Sequence, residues 1–170
     1  MIFVLFGLPG SGKTHVAQVL RKHFNFFIHD GDDDLPPVMK KLLLTSVPIS
    51  DEMRDVFFKK LITHVKILEK KYDQLIVTQT FIKNKYRKWF IQNFPKAQFV
   101  LIRVNDSLRE KRLKTRREFP LEDRYAKHMV DLFEKPNIPY DTILNESEDE
   151  KEIITQFNAL NLHQKKVDNP

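Results

Sequence analysis

The sequence predicts an α/β fold in which a parallel five-stranded sheet lies between two layers of helices. Short apolar runs alternate with helical patterns along almost the whole chain of 170 residues, and strands that are connected by helices in this way run parallel. The chain also has four glycines, and three of them fall within six residues directly after the first apolar run. That cluster marks the carboxyl end of the first strand, where ligands bind in such folds.

The positions of the elements follow from the spacing of the apolar residues. Continuous apolar runs are typical of buried parallel strands and predict strands at residues 2–6, 26–28, 75–78, 99–104 and 142–144. Helical spacing predicts helices at residues 13–23, 38–44, 51–71, 85–92, 108–117, 125–133 and 151–160. The inward face of the third helix would consist of Met53, Val56, Phe57, Leu61, Val65 and Leu68. We expect one domain over residues 1–160 and a frayed polar tail at residues 161–170.

The composition excludes several classes of protein. The chain has no cysteine, which excludes a disulfide scaffold, a thiolate zinc site and a cysteine nucleophile. No apolar run approaches the ~18 residues of a membrane span, and the first residues lack the basic region and cleavage site of a signal peptide. We therefore expect a cytoplasmic protein without membrane contact. The net charge of +6 indicates anionic partners, which include small phosphates and nucleic acid.

The glycine cluster belongs to a phosphate-binding motif. Residues 7–14 match the P-loop pattern G-x-x-x-x-G-K-[ST] at every fixed position. In a P-loop, backbone N–H groups and a helix N-terminus surround phosphate oxygens. Lys13 would reach the β- and γ-phosphates of ATP, and the Thr14 hydroxyl would bind Mg²⁺. The predicted nucleotide site consists of Gly7, Leu8, Pro9, Gly10, Ser11, Gly12, Lys13 and Thr14.

A second carboxylate for the metal is expected at the end of the second strand. The third strand ends in Thr-Gln-Thr and supplies no acid, whereas the second strand is followed by an Asp-Gly-Asp turn. Asp30 would support a metal-bound water, and Asp32 would orient or deprotonate the hydroxyl of a substrate. The alternative is a solvated acidic turn without a function. The six histidines are not spaced as metal ligands.

Beyond the P-loop, the chain resembles gluconokinase, within a group of small P-loop kinases that includes shikimate kinase and the nucleoside monophosphate kinases. The pattern D-G-D-x-L-H-P-x-x-N-x-x-K-M-x-x-G-x-P-L-x-D-x-D-R aligns with residues 30–54 without gaps, and the chain keeps Asp30, Gly31, Asp32, Pro36, Pro48, Asp51 and Arg54. Similar segments follow at residues 83–87, 112–119 and 132–136. The resemblance implies a monophosphate-kinase-like fold and ATP- and Mg²⁺-dependent phosphoryl transfer to a hydroxyl of a small anionic metabolite. A sugar acid such as gluconate is the first candidate.

The resemblance also implies roles for residues outside the P-loop. A mobile lid at about residues 114–126 would bring Arg112 and Arg116, which are one helical turn apart, over the phosphates. Arg54 would hold the anionic end of the acceptor through paired hydrogen bonds. Thr80, in the segment that replaces the Cys-Ser of the family, would contact the acceptor. The catalytic residues would then be Lys13, Asp30, Asp32 and Arg112.

The chain departs from the gluconokinase pattern at four polar or glycine positions, which hold Leu35, Met39, Leu42 and Ser46. Leucine and methionine cannot replace hydrogen bonds to a polyol. A nucleotide or polynucleotide 5′-kinase is therefore the alternative function, and a non-catalytic ATP-binding module is the second alternative. Nucleic acid could also bind the aromatic and basic segment at residues 83–90, although its aromatic residues have the spacing of an inward helix face. Both monomers and homodimers occur in this group of kinases.

Overall fold

Five parallel strands form the sheet of this computed structural model, in the spatial order β2-β3-β1-β4-β5. The structure describes residues 1–115, 123–147 and 149–167, with the main chain alone at residues 123–124 and 161–167. The strands are β1 Ile2–Phe6, β2 Phe27–Asp30, β3 Leu75–Thr78, β4 Gln98–Arg103 and β5 Asp141–Leu144. Every neighbouring pair is parallel. The sequence prediction of a parallel five-stranded sheet is confirmed, and no strand boundary differs from its predicted position by more than two residues.

The helices of the described segments connect the strands. They are α1 Lys13–Phe24, α2 Pro37–Leu44, α3 Asp51–Leu68, α4 Asn84–Asn93, α5 Asp106–Thr115, α6 Asp123–Leu132 and α7 Glu150–Val167, with a 3-10 turn at Gly31–Asp34. Helix α7 continues beyond the boundary predicted at residue 160, because residues 161–167 contain neither glycine nor proline to end it. The predicted lid is described only at its two ends, in α5 and α6. Within the described segments, no helix has an apolar stretch that could cross a bilayer.

Alternating side chains of the strands pack into two cores, one on each face of the sheet. On one face Val4 and Phe6 pack with residues of α3 and α4, including Phe57 and Phe90. On the other face the intervening side chains of β1 and β4, such as Phe3, pack with residues of α1 and α7. Because side chains alternate along a strand, each central strand contributes to both cores. The arrangement is the predicted three-layer sandwich.

Helix α3 carries Arg54 and begins at a well-formed cap. The Ser50 hydroxyl accepts a hydrogen bond from the backbone N–H of Met53, and acidic residues in the first turn suit the positive end of the helix dipole. Val56 was predicted to face the core, but it is 62% exposed. Phe58 is buried in its place and stacks on Tyr86 of α4 at 4.1 Å. The buried face is rotated toward Phe58 because α3 also packs against α4.

Helix α4 has the inward aromatic face that the sequence suggested. Tyr86 and Phe90 are fully buried. On the outer side, Lys83 and Lys85 form ion pairs of 2.6 and 2.7 Å with Asp51 and Asp55 of α3. The aromatic rings and these two lysines are therefore engaged within the protein, which favours the helix interpretation over a nucleic-acid surface.

Arg87 of the same helix is fully buried, which the sequence pattern did not indicate. Its guanidinium donates hydrogen bonds to Asn84 Oδ1 at 2.6 Å, to the Glu134 carbonyl at 2.9 Å and to the Ile82 carbonyl at 3.2 Å. It also lies 4.9 Å from the centroid of the Phe133 ring. Burial lowers the pKa of Arg87 to about 10, so the group remains cationic at neutral pH. Arg87 therefore fastens the segment after α6 to α4.

Candidate active site

The P-loop connects β1 to α1 in a conformation that depends on glycine. Gly7, Gly10 and Gly12 have φ values of 144°, 83° and 88°. At Gly7 a Cβ atom would lie 2.6 Å from the Ile102 carbonyl oxygen of β4, so no larger residue fits there. Lys13 Nζ donates to the carbonyls of Gly7 and Leu8 at 3.0 and 3.2 Å, which draws the lysine back over the loop.

The N-terminus of α1 is suited to phosphate. The helix begins after Gly12 without a side-chain cap, and its first turn contains no acidic residue. The first amides of a helix need acceptors from outside the helix, and phosphate oxygens supply them at a position where the helix dipole favours an anion. Thr14, in the first turn, is exposed, as a hydroxyl that binds a metal ion requires.

Two later segments of the chain support the P-loop. Asn145, directly after β5, donates from Nδ2 to the Ser11 carbonyl at 2.9 Å, and its own carbonyl accepts from Arg112 NH1 at 3.0 Å. These contacts hold Arg112 of α5 beside the loop. The sequence predicted Arg112 at the phosphates, whereas Asn145 was missed. Arg116, the second arginine predicted to close over the phosphates, lies outside the described residues.

The acidic turn after β2 is held by the end of β3. The Asp30 carboxylate accepts from the backbone N–H of Asp32 at 3.0 Å. Gln79 donates from Nε2 to Asp32 Oδ1 at 3.0 Å, and Gln79 Oε1 accepts from the Thr80 N–H at 2.6 Å. A Cβ atom at Gly31 would lie 2.9 Å from the Gln79 amide, so glycine permits this contact. Gln79 therefore positions Asp32, a role that the sequence did not reveal.

Most of the predicted site residues line one cavity of about 370 Å³, although Gly7, Leu8 and Ser11 do not. Its wall contains residues from the P-loop, the acidic turn, the end of β3 and the helices α2 to α6. Those predicted from the sequence are Pro9, Gly10, Gly12, Lys13, Thr14, Asp30, Asp32, Arg54, Thr80 and Arg112. The chain thus brings the residues predicted for nucleotide and acceptor binding to a common space at the carboxyl ends of β1, β2 and β3.

Arg54 provides a buried cation on the acceptor side of this cavity. The residue is 8% exposed, and its Nε lies 4.0 Å from Asp51 Oδ1. Tyr125 of α6 also lines the cavity. Its buried hydroxyl interacts with the Arg54 side chain but meets no described residue in good hydrogen-bond geometry. Burial raises the pKa of Tyr125, and the charge of Arg54 opposes that shift. The pair suits an anionic group of a ligand, and Tyr125 was missed by the sequence analysis.

The remaining wall of the cavity is mainly apolar and aromatic. It includes two of the residues that depart from the gluconokinase pattern, Leu35 and Met39.

Two residues near the site have left-handed backbone conformations. Ser46, which stands at a glycine position of the gluconokinase pattern, has a φ of 54°; the left-handed conformation explains the preference for glycine there. Phe81, another wall residue, has a φ of 48°. A left-handed bulky residue is rare and marks a constrained segment, here beside Thr80.

Three other polar side chains lie close together at the end of the acidic turn. His29, Asp34 and His64 offer ligand atoms that lie within 4.8 Å of one another. The spacing of the histidines did not indicate this cluster, because His64 comes from a different element and 35 residues separate it from His29. The cluster is separate from the wall of the main cavity.

The fold and the P-loop together define a nucleotide-binding α/β protein with the architecture of small P-loop kinases. The chain belongs to the AAA domain family (AAA_18), whose model matches residues 3–127. This match covers the P-loop, the acidic turn, Arg54 and Arg112. It ends within α6, so β5 and α7 lie outside it.

Curated relatives and solved structures agree with the resemblance found in the sequence. The thermoresistant gluconokinase of Escherichia coli (strain K12) is 24% identical over 116 residues, which are 68% of this chain and 66% of that protein. A probable gluconokinase of Xenopus tropicalis is 32% identical over 88 residues, 51% of this chain and 46% of that protein. The chain thus matches just under two thirds of the length of the first relative and about half of the second.

An unliganded sugar kinase from Janibacter sp. HTCC2649 shares the fold, with a TM-score of 0.78 and 17% identity over 92% of this chain and 94% of that chain. The predicted P-loop kinase fold and the resemblance to gluconokinase are confirmed.

Proposed function

We propose that the protein is an ATP-dependent kinase that transfers the γ-phosphoryl group to a hydroxyl of a small anionic acceptor. The observation that carries this proposal is the single cavity whose wall includes Lys13, Asp32 and the buried Arg54. Phosphoryl transfer requires that donor and acceptor be held in contact, and these residues offer a site for each. We further propose a cytoplasmic protein, as expected from its sequence, that is a monomer or a homodimer, since both occur in this group of kinases.

The residues of the nucleotide end fit ATP and Mg²⁺. The P-loop amides and Lys13 would bind the β- and γ-phosphates. The Thr14 hydroxyl and the Asp30 carboxylate would hold Mg²⁺, directly or through water, because this ion prefers oxygen ligands. When bound, Mg²⁺ neutralises charge on the phosphates. Arg112, fixed by the Asn145 carbonyl, would add a second cation to the transferring group.

Asp32 would activate the acceptor hydroxyl. Gln79 holds one carboxylate oxygen, so the side chain has a defined direction. As the acceptor oxygen bonds to the γ-phosphorus, its proton would pass to Asp32 and the bond from phosphorus to the ADP oxygen would break. The products are ADP and the phosphorylated acceptor.

Arg54 and Tyr125 would bind the anionic end of the acceptor. A guanidinium matches a carboxylate or phosphate with two parallel hydrogen bonds. The buried Tyr125 hydroxyl, which lacks a good partner among the described residues, would gain one from the same anion. Binding of the acceptor would then satisfy a polar group whose burial is otherwise costly.

A sugar acid such as gluconate is the acceptor that the curated relatives support, since both are gluconokinases by name. The cavity wall favours a second candidate. Leu35, Met39, Phe57 and Phe81 line it, and apolar side chains suit the flat face of a nucleobase better than the hydroxyls of a polyol. The second candidate function is therefore a nucleotide or polynucleotide 5′-kinase.

An ADP-release assay separates these functions. The purified chain is given ATP and Mg²⁺ with gluconate, related sugar acids, nucleoside monophosphates or a 5′-hydroxyl oligonucleotide. Saturable stimulation by a sugar acid supports the first candidate, and stimulation by a nucleotide or oligonucleotide supports the second. ATP binding without stimulation by any member of the panel contradicts both and favours a non-catalytic ATP-binding module.

The variant Asp32→Asn tests whether transfer depends on the proposed base. We expect turnover to fall about 100-fold or more while the affinity for ATP stays the same. Asp33→Asn is the matched control, because Asp33 is exposed in the same turn and has no proposed role in phosphoryl transfer. Equal effects of the two variants would contradict the role of Asp32.

A further inference from the structure

His29, Asp34 and His64 come from three different elements: β2, the 3-10 turn and α3. His29 Nε2 lies 2.7 Å from Asp34 Oδ2, and His64 Nδ1 lies 3.0 Å from Asp34 Oδ1. The two imidazole rings are 4.5 Å apart between centroids and meet edge to face. Two ring nitrogens and both carboxylate oxygens therefore converge on one small region. We call these three residues the His–Asp–His cluster.

We propose that the His–Asp–His cluster binds a divalent transition-metal ion of the zinc type. Two imidazole nitrogens and a carboxylate form a donor set that suits Zn²⁺ and Co²⁺. Mg²⁺ prefers oxygen ligands alone, so this site differs in chemistry from the one proposed at Thr14 and Asp30. The inference stands on the cluster and does not depend on the proposed kinase reaction.

The ligand atoms are close enough to share one ion after a modest rearrangement, since they all lie within 4.8 Å of one another. Zinc lies about 2.0–2.2 Å from nitrogen and oxygen ligands. Neighbouring ligands in a tetrahedral site are then about 3.3–3.6 Å apart, so both imidazoles would move slightly away from the Asp34 oxygens that they contact at 2.7 and 3.0 Å. Coordination would use the lone pair of the imidazole nitrogen that faces Asp34 in each histidine, with the ring proton on the other nitrogen.

Burial of the carboxylate favours a cationic partner. The side chains of His29 and Asp34 are 6% and 5% exposed, and a buried carboxylate requires charge or hydrogen-bond compensation. His64 is 42% exposed in its side chain, which leaves a route for the ion and an open side for water ligands. Lys60 donates to the Asp34 carbonyl at 3.0 Å, and its positive charge disfavours a bound cation. The negative charge of the exposed Asp33 on the same turn favours one.

The position of the cluster gives the ion a structural consequence. Asp34 closes the turn that begins at Asp30 and contains Asp32, and His64 belongs to the helix that carries Arg54. A metal ion here would cross-link the acidic turn to α3. Because the complete ligand set forms only on folding, the ion would bind the folded chain preferentially and stabilise it.

Titration with Co²⁺ tests the proposal on the full chain after treatment with a chelator. We expect one Co²⁺ to bind with visible ligand-field absorption, two hyperfine-shifted imidazole N–H proton signals in the NMR spectrum, and a raised melting temperature. His64→Gln should weaken this binding about tenfold or more and remove one of the two signals. His64 is half-exposed, so the variant is expected to fold.

His23→Gln is the matched control. His23 is an exposed histidine whose Nε2 lies 3.5 Å from Glu150 Oε2. It therefore forms a histidine–carboxylate pair at the surface, outside the buried cluster. The His23→Gln variant should keep the Co²⁺ affinity of the unaltered chain and both imidazole N–H signals. Absence of the two imidazole signals in the unaltered chain, or equal Co²⁺ affinity and spectra in the two variants, would overturn the proposal and leave the cluster as a metal-free hydrogen-bonded clamp.

Discussion

The Gln79 amide donates a hydrogen bond to Asp32 Oδ1 at 3.0 Å across 47 positions of the sequence. It fixes the carboxylate that we propose as the base. Gln79→Leu removes the bond and keeps most of the volume of the side chain. Since a hydrogen bond to a charged group contributes about 1.5–3 kcal/mol, we expect kcat to fall about 10- to 100-fold with unchanged ATP affinity. Steady-state kinetics and ATP titration measure both, and Gln92→Leu, on the exposed side of α4, should change neither.

The variant Tyr125→Phe tests the proposed anion site, because it should weaken acceptor binding without changing the stability of the fold. In Tyr125→Phe we expect the free energy of unfolding to change by less than about 0.5 kcal/mol, because the hydroxyl has no good partner among the described residues. The KM of the acceptor should rise about tenfold, since a bond to an anion is lost. Tyr140→Phe, at an exposed tyrosine, is the control. An unchanged KM in Tyr125→Phe would argue against contact with the acceptor.

Arg87 is expected to be a major contributor to stability. Arg87→Met fills much of the same space but removes the donor to the Glu134 carbonyl, while the Ile82 carbonyl keeps a hydrogen bond from the Glu134 N–H. Loss of a donor to an acceptor away from water costs about 1–3 kcal/mol, so chemical denaturation should show a loss of about 1–3 kcal/mol. Lys88→Met, at the exposed neighbouring position, should stay within about 0.5 kcal/mol of the original chain. Similar losses in both variants would contradict this role.

Ser46 is a position where glycine should stabilise the fold. Its φ of 54° is unfavourable for any residue with a Cβ, and its buried hydroxyl lacks a partner in the described part of the chain. After the greater unfolded-state entropy of glycine is subtracted, Ser46→Gly should raise the free energy of unfolding by about 0.5–1 kcal/mol. Thr45→Gly should lower it, because Thr45 has an ordinary φ of −101°. Thermal unfolding of both variants compares them directly.

The structural features that the sequence predicted correctly are those determined by residues close together in the chain. The P-loop was recognisable because eight consecutive residues build it, and the order of strands and helices followed from local apolar spacing. Val56 was misplaced because the buried face of α3 depends on its contact with α4, which spacing along one helix does not encode. The end of α7 was misplaced because polar residues were taken as the end of a helix.

The parts that the sequence did not predict depend on residues far apart in the chain. Gln79 meets Asp32 because β2 and β3 are neighbours in the sheet, and the strand order is not written in either segment. Tyr125 reaches the cavity from α6, and His64 reaches Asp34 from α3. Asn145 has no motif of its own. Each of these residues has a role only after the topology brings its partner near.

The hydrogen bond from Asn145 to the Ser11 carbonyl spans 134 positions, which has a consequence for biosynthesis. The phosphate loop is translated well before Arg112 and Asn145, the two residues that support it. A nascent chain that stops before β5 therefore contains the whole nucleotide motif without the contacts that brace it. Competence to hold ATP should be acquired only after β5 and Asn145 have been synthesised, so shorter nascent chains would not sequester the nucleotide.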